Sequence, residues 1–446
     1  MLTPYHIEGE VSRVDETTAL MSQKIDIFPN NYATDIGDFG MNILRIFVGI
    51  LLLPVFAAYA IIAVFRMHKD DPFKDMDRAQ VDALVKISTI ESTEDPHDAI
   101  TERARALADA GEWQALSAEI HVAERSLQAS SGPMRDYGFM SWGARSELND
   151  ILEVMDPEHC QRKIAELVER IGTAANAAPQ DHVLAALAAR THLDIGWAWR
   201  GDGFADSVSA LEWSRMNQHY DAAEKWLAPF TEGGITSPII AHAAHIHARH
   251  IGDDGRRMRS IYDKWRALDP GNPMMYKEHG FHLLPRWFGT YQELELEARK
   301  AAAATVGTNI GAAPYVWMLN SLIECEPEAL SIVDQEFFVE GVADMVALTP
   351  NATEANTVLR DFSEIWLSRG LFEPDEENFL QVRTLAENVC RKVAQEHLSA
   401  IDLAVWHGKA LSAKQTIAAL FGDDFNAGRV LDFGSGQLRI CRDAPA

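Results

Sequence analysis

The sequence predicts an all-α protein: an irregular helical-repeat array, an α-solenoid, carried behind one N-terminal transmembrane helix. Three observations carry that prediction. Ile46–Phe65 holds 20 residues without a charge, bounded by Arg45 and Arg66. From Asp75 to about Phe421 the apolar residues return at helical spacing. Between those stripes stand Pro, Gly and N-capping residues rather than runs of alternating β-branched residues.

The chain opens with a polar acidic tail, residues 1–42, holding 7 acids and 2 bases. Residues 43–66 then form the expected transmembrane helix, since 20 helical residues span about 30 Å, the thickness of a bilayer's hydrocarbon core. About forty mostly polar residues precede this stretch, which argues for a retained anchor rather than a signal peptide. Pro54 lies mid-span, where a kink is tolerated. Residues 28–42 carry no Lys or Arg, whereas Arg66, Lys69, Lys74 and Arg78 follow the span. That asymmetry places the N-terminus outside and the C-terminal domain in the cytoplasm, on a single-pass protein of the inner membrane.

Residues 67–420 read as the helical array, as one solenoid or two blocks. Trp113, Leu116, Ile120, Ala123 and Leu127 make one apolar stripe; Ile164, Leu167, Val168 and Ile171 make another. Met258, Ile261, Tyr262, Trp265 and Leu268 mark a third. Asp95-Pro96, Asp156-Pro157 and Ser237-Pro238 each set a capping side chain before a proline suited to a first helical turn. Gly111, Gly172, Gly201, Gly252 and Gly370 are expected at helix C-termini. Short turns between such helices imply antiparallel neighbours, about nine pairs in all. Residues 421–446 read as a C-terminal tail. Within it Val430–Gly436, VLDFGSG, looks like a methyltransferase nucleotide loop, but too little chain follows for the α/β domain such a cofactor needs. The same string contains Asp-Phe-Gly without the other parts of a kinase.

The segment Gly252–Pro273, GDDGRRMRSIYDKWRALDPGNP, resembles the second half of a tetratricopeptide repeat, and residues 106–120 and 219–230 resemble it more loosely. No regular 34-residue period accompanies them. HLDIGWAWRGDGFADSV (192–208) and HLLPRWFGTYQELELEAR (282–299) resemble motifs of a bacterial family of tetratricopeptide-like helical proteins of unknown function. In that family an aromatic-rich helix ends in Ala-Arg-Gly, where this chain has Trp199-Arg200-Gly201, and a Leu-Pro-Arg-Trp string opens a later helix. The resemblance covers about residues 100–350 and implies a helical, non-enzymatic protein.

Composition narrows the function. A net charge of −26 repels phosphate backbones, so nucleic acid is not expected as a partner. Cys160, Cys325, Cys390 and Cys441 show no metal spacing and fit thiols of a reducing compartment. No catalytic motif is present and no cofactor is expected.

The candidate partner-binding residues are Trp197, Trp199 and Arg200 at one helix end and Arg286 and Trp287 at another helix start. Arg and Trp planes favour buried interface centres, although tryptophans also fill wide gaps between irregular helices. His242, His245, His247 and His250 lie on one helix as two i, i+3 pairs on different faces. His242 and His245 are therefore weak metal candidates, since one helix cannot bring all four to one ion. The expected function is a membrane-anchored scaffold or assembly factor that binds proteins along a concave face. The rivals are an accessory subunit of a larger membrane complex and a metal-dependent enzyme or sensor using His242 and His245.

Overall fold

The computed structural model describes residues 73–442, apart from 93–95, 155–156, 202–204, 206, 251–253, 350–351 and 368–376. The acidic tail and the apolar stretch at 43–66 lie outside the described residues. Among those described, no helix is long and apolar enough to cross a membrane.

The described residues are mostly helical, as expected, with eighteen α-helices and five short strands. In chain order they begin α1 (Arg78–Leu84), β1 (Val85–Lys86), β2 (Ser88–Ile90), α2 (Pro96–Asp109), α3 (Trp113–Ser126) and α4 (Asp136–Gly143). Next come α5 (Ser146–Val154), α6 (Gln161–Ala177), α7 (His182–Arg200), α8 (Ala210–Thr231), α9 (Pro238–Ala248) and α10 (Arg256–Leu268). Then α11 (Pro273–His282), α12 (Tyr291–Ala303), α13 (Ala313–Cys325), α14 (Gln335–Ala347), α15 (Ala352–Leu367) and α16 (Glu377–Glu396) follow. The last elements are β3 (Ala400–Asp402), α17 (Ala410–Leu420), α18 (Gly422–Asn426), β4 (Val430–Asp432) and β5 (Arg439–Cys441).

Local chemistry explains the helix ends. Asp181 accepts from the backbone N–H of Val183 and Leu184 at the start of α7. Ser209 and Glu212 form a capping box on α8, and Ser237 caps α9 with Pro238 in the first turn. Gly201 closes α7 at φ +68°, a backbone that residues with a Cβ avoid. Gly172 departs from expectation. It lies inside α6, because the buried face of Ile164, Leu167 and Ile171 continues through Ala174 and Ala175. Pro157 begins a short 3-10 turn, Pro157–His159, rather than an α-helix.

Between α2 and α16 the helices pack chiefly on neighbours one or two positions away in sequence. α7 meets α8 and α9, α9 meets α10, α11 meets α13, and α14 meets α16. Close crossings need missing side chains. A Cβ on Gly280 of α11 would sit 1.9 Å from the Met318 carbonyl oxygen of α13. On α10, Met258, Ile261, Tyr262 and Trp265 are buried as one face. α9 is buried almost all round, and Ala241, Ala243, Ala244 and Ala248 let its neighbours approach.

The strands join the two ends of this stack. β1 pairs in parallel with β4, β2 in parallel with β3, and β4 antiparallel with β5. α1 packs on α17 beside them. Residues 421–442 are therefore not a free tail: they carry α18, β4 and β5, and Leu431 and Phe433 are buried. The apolar Val-Leu pair that opens VLDFGSG fills an inner strand between β1 and β5.

A buried polar network holds this seam. The Asn356 side chain donates to the carbonyls of Ala352 (2.8 Å) and Ala400 (2.9 Å) and accepts from Asp402 N (3.1 Å) and Trp406 Nε1 (2.9 Å). Asp402 accepts from the backbone and hydroxyl of Ser92, from Thr353 Oγ1 and from Ala404 N. Burial pushes its carboxyl up, but the hydrogen bonds from Thr353 and Ser92 outweigh that and hold it below the usual range.

Candidate functional site

A cavity of about 470 Å³ opens where α2, α4, α7, α9 and α11 meet. Its lining includes Arg145, Arg190, His242, Asn272 and Glu278, with Tyr137, Phe139 and Trp142 as apolar walls. Trp142 is 53% exposed and Arg145 only 4%, so the lining runs from an open mouth to a buried cationic end.

Both arginines lean on one carboxylate. Arg145 ion-pairs with Asp194, and Arg190, one turn earlier on α7, reaches the other oxygen of Asp194 at 3.3 Å. Arg145 also donates to the Ser141 carbonyl at 3.0 Å. The carboxylate of Glu278, on the same cavity wall, favours the charged form of Arg190, while Nε and Nη1 of Arg190 are buried without a hydrogen-bond partner. Burial pushes Arg190 down to about 10, still protonated at neutral pH. His242 Nε2 is likewise buried and unpartnered, and burial together with Arg190 pushes His242 well below the ordinary histidine range. Buried donors without acceptors are costly, so a hydrogen-bond acceptor entering this end of the cavity would be stabilised.

One wall is rigid. Asp269, fully buried after α10, accepts from Arg135 Nη2 at 2.6 Å and Tyr137 Oη at 3.0 Å. Asn272 donates to Tyr137 Oη at 2.8 Å and caps α11 by accepting from Met274 N. The two polar residues of the repeat-like Asp-Pro-Gly-Asn-Pro string thus tie α10 and α11 to α4. A wider groove of about 1150 Å³ between α5 and α6 is lined by Glu147, Glu166 and Arg170, but Arg170 pairs with Glu147 in a largely exposed setting.

His242, His245, His279 and His282 form one connected column with Trp265, Trp287 and Trp197, while His247 and His250 pack on Tyr220. His242 stacks on Trp265 at 4.8 Å, and Trp265 touches His245 at 5.9 Å. His245 shares a hydrogen bond with His279 at 3.2 Å and lies 5.5 Å from His282, which meets Trp287 at 6.2 Å. Trp287 lies 6.0 Å from Trp197, and Trp197 carries Arg249 at 4.3 Å and Arg200 at 5.2 Å. The column thus runs from the cavity to the aromatic-basic cluster. Burial holds His245 down to about 3 and His279 and His282 well below the ordinary range, so these rings are neutral.

Of the five expected partner-binding residues, Trp197, Arg200 and Trp287 come together. Arg286 stands 5.2 Å over Phe281, itself 5.9 Å from Trp287, and pairs with Glu326 at 3.6 Å. Trp199 points elsewhere: it packs with Ile164, Leu167 and Ile195 and carries Arg215 at 5.7 Å. Arg286 and Trp287 also do not open a helix. They lie in a tight connection where Trp287 N bonds Leu284 O, and α12 starts only at Tyr291 behind the Thr290 cap.

His242 and His245 belong to no group of three converging metal donors among the described residues. The described residues that do converge are His121, Glu124 and His182. Sequence reasoning passed over them, although His-x-x-Glu on one helix and Asp-His at the start of another were the available signal. Arg145 and Arg190 were also missed; Arg190 on the apolar face of α7 was one available signal, whereas Arg145 lies in the turn between α4 and α5. No family model, curated protein or solved structure matches this chain.

Proposed function

We propose that this chain is a membrane-tethered, tetratricopeptide-like binding protein that captures a protein partner by one of its carboxylates. The anchor is Ile46–Phe65, with the helical stack on the cytoplasmic side. The observation that carries the reading is the pair of buried guanidiniums, Arg145 and Arg190, sharing a single carboxylate at the closed end of a cavity. Planar guanidiniums suit carboxylate geometry, and the rings of Tyr137, Phe139 and Trp142 offer contact to the residues beside it. The net charge of −26 disfavours strongly acidic partners, which selects an isolated carboxylate, such as a chain terminus flanked by neutral or basic residues. Trp197, Arg200, Arg286 and Trp287 then form the far end of the contact surface. No chemistry on the bound group is proposed.

The test is capture from native membranes with the full-length protein, followed by peptides of the captured partner with free and amidated C-termini. Free termini should bind and amidated ones should not, and Arg190→Leu should abolish the difference. Equal binding of both forms would end the carboxylate reading. A reporter fused after Ala446 should be active in the cytoplasm; activity only outside it would overturn the orientation.

A further inference from the structure

Behind the Ile239 side of that cavity, α3, α7 and the start of α9 meet at a second cluster. One ring nitrogen each of His121 and His182 and one carboxylate oxygen of Glu124 lie within 4.8 Å of one another. The two rings stand edge to face at 4.5 Å. His182 Nε2 is 2.7 Å from Glu124 Oε2, and His121 Nε2 is 3.2 Å from Asp181 Oδ1. From these contacts we propose that His121, Glu124 and His182 form a divalent transition-metal site of the zinc class, with Asp181 orienting His121.

Two imidazoles and a carboxylate are the donor set that zinc and its neighbours favour, with a fourth position left for water. What distinguishes the cluster from a chance surface pair is the support behind it. Asp181 accepts from Ser117 Oγ at 2.6 Å and from the backbone of Val183 at 2.9 Å, so its orientation is fixed before it meets His121. Glu124 is 5% exposed, and its Oε1 accepts from Ser237 Oγ and from Ile239 N. This leaves Oε2 turned to His182. A carboxylate behind a ligating histidine fixes its tautomer and raises its basicity. The histidine side chains are 23% and 28% exposed, and His182 and Ser237 line a cavity of about 190 Å³. An ion here would be reachable by solvent and small anions.

The bland alternative is that Glu124 merely caps α9 and the histidines satisfy it. Titrating the tag-free full-length protein in detergent with Co²⁺ alone, then Zn²⁺, separates the two. The site predicts one tightly bound Co²⁺ per chain, displaced by Zn²⁺, with X-ray absorption showing two imidazoles and an oxygen donor. Zn²⁺ should also raise the melting temperature, since an ion that binds only the folded state stabilises it. His121→Ala should remove this binding, and Ser117→Ala should weaken it by about 10–100-fold by freeing Asp181. A wild-type protein that takes up no Co²⁺, or one whose Co²⁺ survives His121→Ala unchanged, would overturn the proposal. If a variant fails to fold, the wild-type absorption spectrum still decides.

Discussion

The seam at β2–β3 and the cavity at Arg145 and Arg190 both bury polar groups, yet they treat them oppositely. At the seam every polar atom of the Asn356 amide has a partner, and Asp402 is fully buried beneath its own donors. At the cavity two guanidiniums share one carboxylate, and donors of Arg190 face no acceptor. A satisfied buried network fixes a single arrangement, whereas an unsatisfied one carries a cost that a new hydrogen-bond partner would relieve. The first pattern serves the fold, and the second is what the proposed binding role rests on.

The sharpest way to break this comparison is to damage each region. Asn356→Ala orphans buried partners on β3, α15 and Trp406, so it should cost at least about 3 kcal/mol of stability. Binding should then fail only in step with unfolding. Arg190→Leu should do the reverse. Because Arg145 still pairs with Asp194, stability should change by less than about 1 kcal/mol, while partner affinity falls by at least about 2 kcal/mol. Paired denaturant curves and affinity measurements check both. An Arg190→Leu protein that melts early and binds normally would place Arg190 with the fold.

Acid should separate the regions by pH. His245 is fully buried, with its pKa lowered from 6.5 to about 3, so the unfolded chain takes up its proton first. Its contribution to stability is whole above about pH 6.5 and declines as pH falls from there toward about 3, at about 1.4 kcal/mol per pH unit. Asp402 has a lowered pKa and contributes above its unfolded value of about 3.9, a contribution lost only as pH falls through its still lower folded value. Urea unfolding between pH 7 and about pH 4.5 should therefore show a falling stability, shared with His242, His279 and His282, whose slope His245→Phe reduces by about one proton and Asp402→Asn leaves unchanged.

The sequence made the helices legible because their stripes are local. Met258 through Trp265 can be read as one buried face without knowing what covers it. The caps at Ser237 and Gly201 were legible for the same reason, since each lies within a turn of what it caps. The seam was not legible. β2 and β3 are three residues each and lie more than 300 positions apart, too short for alternation to show and too distant for a local rule. At the site, Trp197 and Trp287 drew attention by residue type. Arg145 and Arg190 did not, because arginine normally marks a solvated helix face and only the fold reveals that these two are buried.

The smallest expected effect sharpens the boundary of the binding surface. Arg286 keeps 44% of its side chain exposed and makes one long ion pair, 3.6 Å to Glu326, while standing over the Phe281 ring. Exposed pairs of that kind contribute about 0–1 kcal/mol, so Arg286→Ala should shift the melting temperature little. If the partner is held mainly by its carboxylate at Arg190, Arg286→Ala should also weaken capture by less than about 1 kcal/mol, as rim contacts do. If it instead costs about 2 kcal/mol or more of affinity at an unchanged melting temperature, the centre of the interface lies at the Trp197–Trp287 end of the ring column. A double variant then decides between one extended surface and two. Arg190→Leu combined with Arg286→Ala should lose the sum of the single effects if the partner contacts the ends independently, and less than the sum if one rigid segment spans both.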